Sequence, residues 1–525
     1  MDLILGSATV IDGTGADRYH ADVVLRNGRI AEITAPGTRR GANLIDATGL
    51  VLCPGFIDMH AHSDLALLTE PEHLAKVSQG VTCDVIGQDG LSYAPCDDRT
   101  LAALRAQIAG WNGNPPDFDF SWRSVGEYLD RLDTGITINA AYLVPQGTVR
   151  MLGVGFDDRA ASEDELDRMR ELVAQGMDQG AFGLSSGLTY TPGMYASTAE
   201  LVALCAVVAE HGGYYSPHHR GYGAHALEAY AEMVDVSTRS GCPLHLAHAT
   251  MNFDCNAGRA GELLALLDAA IAEGTDITLD SYPYLPGATT LSALLPSWVF
   301  SGGVEDTLER LADADTRERI RYEMEELGSD GCHGVPVDWS AIEINGAEDT
   351  ALVGASVAES AARRGKTPSE LYFDVLVAER LAPSCLMHIG HEDNVRAIMR
   401  HPAHTAGSDG LLHGPRPHPR AWGTFPRYLG HYCRELGVLG LEDCVHHMTG
   451  RPAARLGLRD RGVLTEGAVA DLVLFDPETV ADRAEFNEPR RLAAGIERVL
   501  VGGVTVYAEG AHTGAFPGKA LRHNG

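Results

Sequence analysis

The chain opens on alternating apolar and polar positions. Residues 3–11 (LILGSATVI) and 22–33 (DVVLRNGRIAEI) carry the two-residue period of half-buried strands. Asn27-Gly28 supplies a hairpin turn, because both residues tolerate positive φ. The same pattern returns at the other end, in 470–476 (ADLVLFD) and 496–507 (IERVLVGGVTVY), with Gly502-Gly503 as the turn. Chain ends commonly lie close together in a folded domain. The pattern therefore predicts one small β-domain, a β-sandwich built from both termini, over residues 1–52 plus 463–525.

Between these ends the pattern changes to short apolar runs separated by helical stretches. The runs are 51–57, 81–86, 138–144, 181–185, 213–217, 243–247, 276–280 and 403–407. Helical periodicity follows several of them, notably over 162–178 and 198–211. Strands alternating with helices indicate a parallel sheet, and eight such strands are the number that closes it. The fold class expected is α/β, a (β/α)₈ TIM-like barrel over 53–462. A long interval of about 285–400, with its own helical stretches at 304–327 and 368–380, predicts an inserted subdomain before the last barrel strand.

Composition narrows the partners. The 525 residues suit a large catalytic domain and a smaller one. Lys+Arg 41 against Asp+Glu 72 leaves a net charge of −31. Such a surface disfavours nucleic acid and anionic membrane, which need basic patches. The ten cysteines include no C-x-x-C pair and are scattered through the chain, as in a reduced, cytoplasmic protein. Residues 1–6 carry no basic leader, and no apolar run is long enough to span a membrane. The expected partner is a small molecule, and an oligomer is compatible with the sequence.

The strongest chemical signal is Asp58-Met59-His60-Ala61-His62-Ser63-Asp64, at the C-terminal end of the first barrel strand. Residues i and i+2 of a strand share a face, so His60 and His62 converge on one point as ligands for zinc or a similar metal. His218 follows the fifth strand, His248 the sixth and Asp409 the eighth. All lie where barrel enzymes keep their active sites. His219 beside His218, and His245 near His248, are competing assignments.

The chain resembles the amidohydrolase superfamily, and within it the D-aminoacylase (N-acyl-D-amino-acid deacylase) branch. PGFIDMHAHSD (54–64) and GSDG (407–410) carry the superfamily likeness. HPRAWGTFPRYLG (418–430) and GAVADLVLFDPETVADR (467–483) carry that of the branch. The resemblance implies one or two divalent metal ions, with zinc expected. His60 and His62 would hold one position, and His218 and His248 the tighter one. The family's G-N-C-G turn after strand two is here Gly87-Gln88-Asp89-Gly90, so the bridging role passes to Asp89, a harder ligand than thiolate. Asp409 would be a metal-site residue and the general base and acid. Arg420 and Tyr282 would grip a substrate carboxylate. Thr250 stands where the family commonly has Lys, and Pro145-Gln146-Gly147 replaces the usual G-H-G. Tyr190 and Trp298 are further candidates for the pocket wall, and Cys83 is read as a core thiol.

The function implied is metal-dependent hydrolysis of the amide of an N-acylated amino acid, most simply of the D series. Loss of Lys at position 250 makes a side-chain substrate such as Nε-acyl-L-lysine an alternative. A cyclic amidase is disfavoured by the Arg420 stretch and by the absence of Lys from 181–190. A non-catalytic scaffold is disfavoured because the five metal-site candidates on strand ends are all present.

Overall fold

The computed structural model describes residues 2–523. Its centre is one parallel sheet whose strands neighbour each other in sequence order. We number them β1 (Phe56–Asp58), β2 (Val81–Ile86), β3 (Asn139–Pro145), β4 (Gly183–Gly187), β5 (Tyr214–His218), β6 (Leu244–Leu246), β7 (Ile277–Ser281) and β8 (His404–Ala406). The sheet closes on itself. Met59 N–H donates to the Ala406 carbonyl at 3.2 Å, and Asp409 N–H donates to the His60 carbonyl at 2.8 Å. Every residue of β2 and β3 is buried. Helices cover the outer face and packed side chains fill the inner one, which is why these strands read as continuous apolar runs. The helices over 162–178 and 198–211 are Glu163–Asp178 and Thr198–Glu210, each started by a serine, Ser162 or Ser197, whose side chain accepts a backbone N–H of the first turn.

The run 51–57 is not one strand. Val51–Pro54 pairs with Leu472–Phe475 in the terminal sheet, and only Phe56–Asp58 belongs to the barrel. Gly55 makes the switch, since a Cβ there would lie 2.1 Å from Thr82 Oγ1. Periodicity could not show this break, because both pieces are apolar and buried.

Strands from the two chain ends join in one nine-stranded sheet. Ile30 N–H donates to the Ala468 carbonyl (2.9 Å) and Gly467 N–H to the Ile30 carbonyl (2.8 Å), so the sheet folds back on itself. Alternation along Leu472–Phe475 serves two cores. Leu472 and Leu474 pack inside the terminal sheet, and Val473 and Phe475 pack toward the barrel.

Between β7 and β8 the chain forms a four-stranded antiparallel sheet from Gly287–Thr290, Ser384–Met387, Ile342–Gly346 and Ala355–Ser356. It has its own apolar core, including Val299, Tyr372 and Leu376. The helical stretch 304–327 divides into Val304–Ala312, Ala314–Tyr322 and a π-helical turn, Glu323–Leu327. The later helix Glu392–Met399 turns Val395 and Ile398 into the barrel core instead. Among the described residues no helix is long and apolar enough to cross a membrane. All ten cysteines are free thiols, and burial pushes that of Cys83 up in pKa, as expected of a core residue.

Candidate metal centre and active site

The C-terminal strand ends bring six of the expected residues to one point. His60, His62, Asp89 and Asp409 form one buried cluster, and Asp89, His218 and His248 form a second. Asp89 belongs to both. Its Oδ1 lies 3.5 Å from His60 Nε2 and 3.6 Å from His248 Nε2. Its Oδ2 lies 3.5 Å from both His62 Nε2 and His218 Nδ1. One carboxylate thus stands between two histidine pairs, in a bridging position.

Asp89, His248 and Asp409 all adopt positive φ, at 55°, 31° and 48°. Non-glycine residues rarely do so, and the strain concentrates at functional sites. At position 89 the flanking Gly87 and Gly90, also at positive φ, make the tight turn that aims the carboxylate inward.

Second contacts orient the rings. Thr189 Oγ1 lies 2.7 Å from His218 Nε2, and Tyr222 Oη lies 3.3 Å from His248 Nδ1. This leaves His218 Nδ1 and His248 Nε2 facing each other at 3.0 Å and facing Asp89. Asp280, which the sequence reading overlooked, accepts the His248 backbone N–H (2.9 Å), pairs with His245 Nε2 (3.1 Å) and lies 3.7 Å from His60 Nδ1. Its signal was its place at the end of β7. The competitors are thereby resolved. His245 is held by Asp280 and Thr278, and His219 is packed between the rings of Tyr222 and Tyr230.

The donor set fits a divalent cation. Both ring nitrogens of His60, and Asp89 Oδ1, are buried without a hydrogen-bond partner among the described residues. Leaving such groups unsatisfied costs about 1–3 kcal/mol each, unless a ligand completes them. The electrostatics agree. Burial alone would pull the His62 imidazole down, but the Asp409 and Asp89 carboxylates beside it push it up to about 10. Burial opposes ionisation of Asp409, yet the Arg420 guanidinium and His60 hold it below the usual carboxylate range. The point between these groups attracts positive charge.

Asp409 has two faces. Oδ1 lies 3.2 Å from His62 Nε2 and 3.7 Å from His60 Nε2, and Oδ2 lies 2.9 Å from Arg420 Nη2. Arg420 is fully buried, its guanidinium carbon 4.4 Å from the centre of the Tyr282 ring. Its Nε and Nη1 have no partner among the described residues. A cavity of about 730 Å³ opens onto this centre, and Thr250, Tyr190 and Tyr282 line it. Thr250 Oγ1 donates to Asn252 Oδ1 at 2.7 Å, and Tyr190 Oη lies 2.9 Å from Thr289 Oγ1 of the insertion. Trp298 is not at the cavity. Its indole N–H donates to Glu323 at 2.7 Å, and Arg319 stacks on its ring, within the insertion. Trp111, in the short helix Ala109–Asn112 that follows β2, takes a place in the wall that no local motif announced.

Residues 43–507 match the profile of the amidohydrolase family. The D-aminoacylase of Alcaligenes xylosoxydans xylosoxydans is 37% identical over 529 residues, covering 99% of this chain and 97% of that protein. The N-acyl-D-glutamate deacylase of the same organism is 37% identical over 532 residues, covering 100% and 97%. Among solved structures, the N-acyl-D-glutamate deacylase of Bordetella bronchiseptica, complexed with zinc and a phosphonate mimic of the tetrahedral intermediate, superposes with a TM-score of 0.85 at 33% identity, covering 99% of each chain. With its closed barrel, its histidine and aspartate centre at the strand ends and these full-length likenesses, the chain belongs to the amidohydrolase family.

Proposed function

We propose that this chain hydrolyses the amide bond of N-acyl-D-amino acids, releasing a carboxylate and a free D-amino acid. The observation that carries the reading is Asp409, with one oxygen toward the histidine centre and the other on Arg420. The activities by which the relatives are named support a linear N-acyl-D-amino acid and lend nothing to the Nε-acyl-lysine alternative.

In this reading His60, His62, Asp89, His218 and His248 would hold one or two zinc ions, Asp89 facing both histidine pairs and Asp409 facing His60 and His62. When bound, such a cation would supply carbonyl polarisation and lower the pKa of water from about 15.7 towards roughly 7. Asp409 takes a proton from the attacking water at Oδ1. It returns that proton to the amide nitrogen as the C–N bond breaks. Arg420 offers its unpartnered guanidinium N–H groups to the substrate carboxylate as charge-assisted donors. Tyr282, under the guanidinium, holds it in place. Thr250 and Tyr190 shape the cavity around the substrate.

The same reading takes residues 1–52 with 463–525 as the small β-domain and 53–462 as the catalytic barrel, with Cys53 and Pro54 completing the terminal-sheet strand before the first barrel strand. The ten free thiols support a reducing, cytoplasmic setting.

The test is amine release from matched N-acetyl-D-amino acids, their L-enantiomers and Nε-acetyl-L-lysine, with added zinc and with chelator. Chelator-sensitive turnover of the D series is expected. Turnover confined to an L-substrate or to Nε-acetyl-lysine would reject the reading.

A further inference from the structure

The barrel mouth separates the two halves of a substrate. Asp409 and Arg420 follow β8 and Tyr282 follows β7. If the amine half is anchored by its carboxylate on Arg420 and protonated by Asp409, it occupies the β7–β8 side. After β2 and β4 stand Trp111, in the short helix Ala109–Asn112, and Tyr190. Their rings pack edge-on, with centroids 4.9 Å apart and planes at 78°. Trp111 also lies 5.1 Å from the His62 ring, and Tyr190 lies 4.9 Å from that of His218. This pair packs on the histidine centre through His62 and His218.

Behind the pair is a second, mostly apolar cavity, whose wall includes Leu91, Ile108, Phe156, Phe300 and Leu381 along with Gln107 and Arg380. It shares Trp111, Thr189, Tyr190 and Ala293 with the metal-facing cavity. The partition between the two is therefore one side chain thick. Trp111 is only 3% exposed, yet its indole N–H has no acceptor among the described residues. A buried donor without a partner, in the wall of a ligand cavity, is placed to meet an acceptor on a ligand.

We infer that Trp111, with Tyr190 as its support, bounds the acyl subsite and sets the length of the acyl group this enzyme accepts, with the apolar chamber behind it closed to the wild-type substrate. The inference rests on the proposed deacylase activity. Removing the indole joins the chambers and gives a longer acyl chain an apolar lining, at about fourfold in binding for each methylene buried.

The experiment measures kcat/KM for N-acetyl-, N-butanoyl- and N-octanoyl-D-amino acids with one fixed D-amino acid. A second series fixes the acetyl group and varies the D-amino acid from alanine to phenylalanine. Both use zinc-loaded full-length protein, as wild type, Trp111→Ala and Trp111→Phe. Wild type is expected to favour acetyl over octanoyl. Trp111→Ala is expected to raise the octanoyl-to-acetyl ratio by about tenfold or more, while leaving the second series nearly level. Trp111→Phe preserves the packing and is expected to keep the wild-type ratio, with every substrate slowed by about 2- to 10-fold for the lost N–H donor. An unchanged acyl ratio in a folded, active Trp111→Ala enzyme overturns the inference, as does an effect confined to the second series. A wild type inert on every N-acyl-D-amino acid overturns the deacylase reading and this inference with it.

Discussion

Lys76 and Asp58 form an ion pair whose two side chains are fully excluded from solvent. The pair ties the two ends of the barrel seam together. Lys76 Nζ also donates to Ser408 Oγ at 2.6 Å. Asp58 Oδ1 accepts the backbone N–H of Ser408 at 2.8 Å and that of His60 at 3.2 Å. His60 opens the histidine pair and Ser408 precedes Asp409, so this ammonium and carboxylate set the spacing between metal ligands and base.

Lys76→Met leaves the Asp58 carboxylate buried and uncompensated. Breaking a buried pair from one side costs about 3–5 kcal/mol. Denaturant melts are expected to show that loss, and to show much of it recovered in Lys76→Met with Asp58→Asn. If the double variant is no more stable than Lys76→Met alone, the two side chains do not act as a pair.

Asp409→Asn keeps the shape of the side chain and removes the proton acceptor. Metal content by elemental analysis is expected to stay near wild type while kcat falls by about 10²–10⁴-fold. Retained turnover would take Asp409 out of the proton transfers.

Asp89 faces both histidine pairs, and His62 faces only one. Asp89→Ala is therefore expected to lower zinc content further than His62→Ala, and His218→Ala to spare what His60 and His62 hold. Metal titration of the apo-variants decides this. Equal losses for Asp89→Ala and His62→Ala would deny the carboxylate its shared position.

Arg420→Met removes the guanidinium donors offered to the substrate carboxylate. KM for N-acetyl-D-amino acids is expected to rise by at least about tenfold, for the loss of charge-assisted hydrogen bonding. The corresponding carboxamides should be affected less. A KM that rises equally for both would place Arg420 in support of Asp409 alone.

Stability should also follow pH through His404. Burial, with Arg451 beside it, lowers its imidazole from 6.5 to about 3. It sits between Ser281 Oγ (2.9 Å) and His447 Nδ1 (3.0 Å). The unfolded chain binds this proton more readily than the folded one, so the contribution is complete above about pH 6.5 and is lost as pH falls toward 3. The slope is about 1.4 kcal/mol per pH unit for one such group. Melts of His404→Gln between pH 7 and 4 are expected to be flatter than wild type by about that much. Parallel curves would show that His404 stays unprotonated in neither state or in both.

Much of the architecture was legible because barrel strands announce themselves as short apolar runs with turns between them. The ligands on strand ends were legible for the same reason, since a strand's end fixes where its next residues can reach. Residues that act through neighbours were not. His218 and His219 are adjacent, and only the pairing of β5 with β4 decides which of them faces the centre. Trp298 read as a pocket aromatic, yet the insertion turns it to Glu323. Trp111 lies in a helix of only four residues, Ala109–Asn112, too short to show a period, and its role depends on Tyr190, 79 positions further along the chain.

The sequence by itself determined the alternating strands, the His60–His62 pair, the Asp89 turn and the family likeness, because each is written in residues close together in the chain. Tertiary structure alone decided the rest: that Asp89 stands between both histidine pairs, that Arg420 meets Asp409, that Lys76 joins Asp58 to Ser408, and that an apolar chamber lies behind Trp111. Those relations join residues far apart in sequence. They exist only once the closed barrel fixes its strand ends and the insertion covers its mouth, since no local preference encodes a distance between distant side chains.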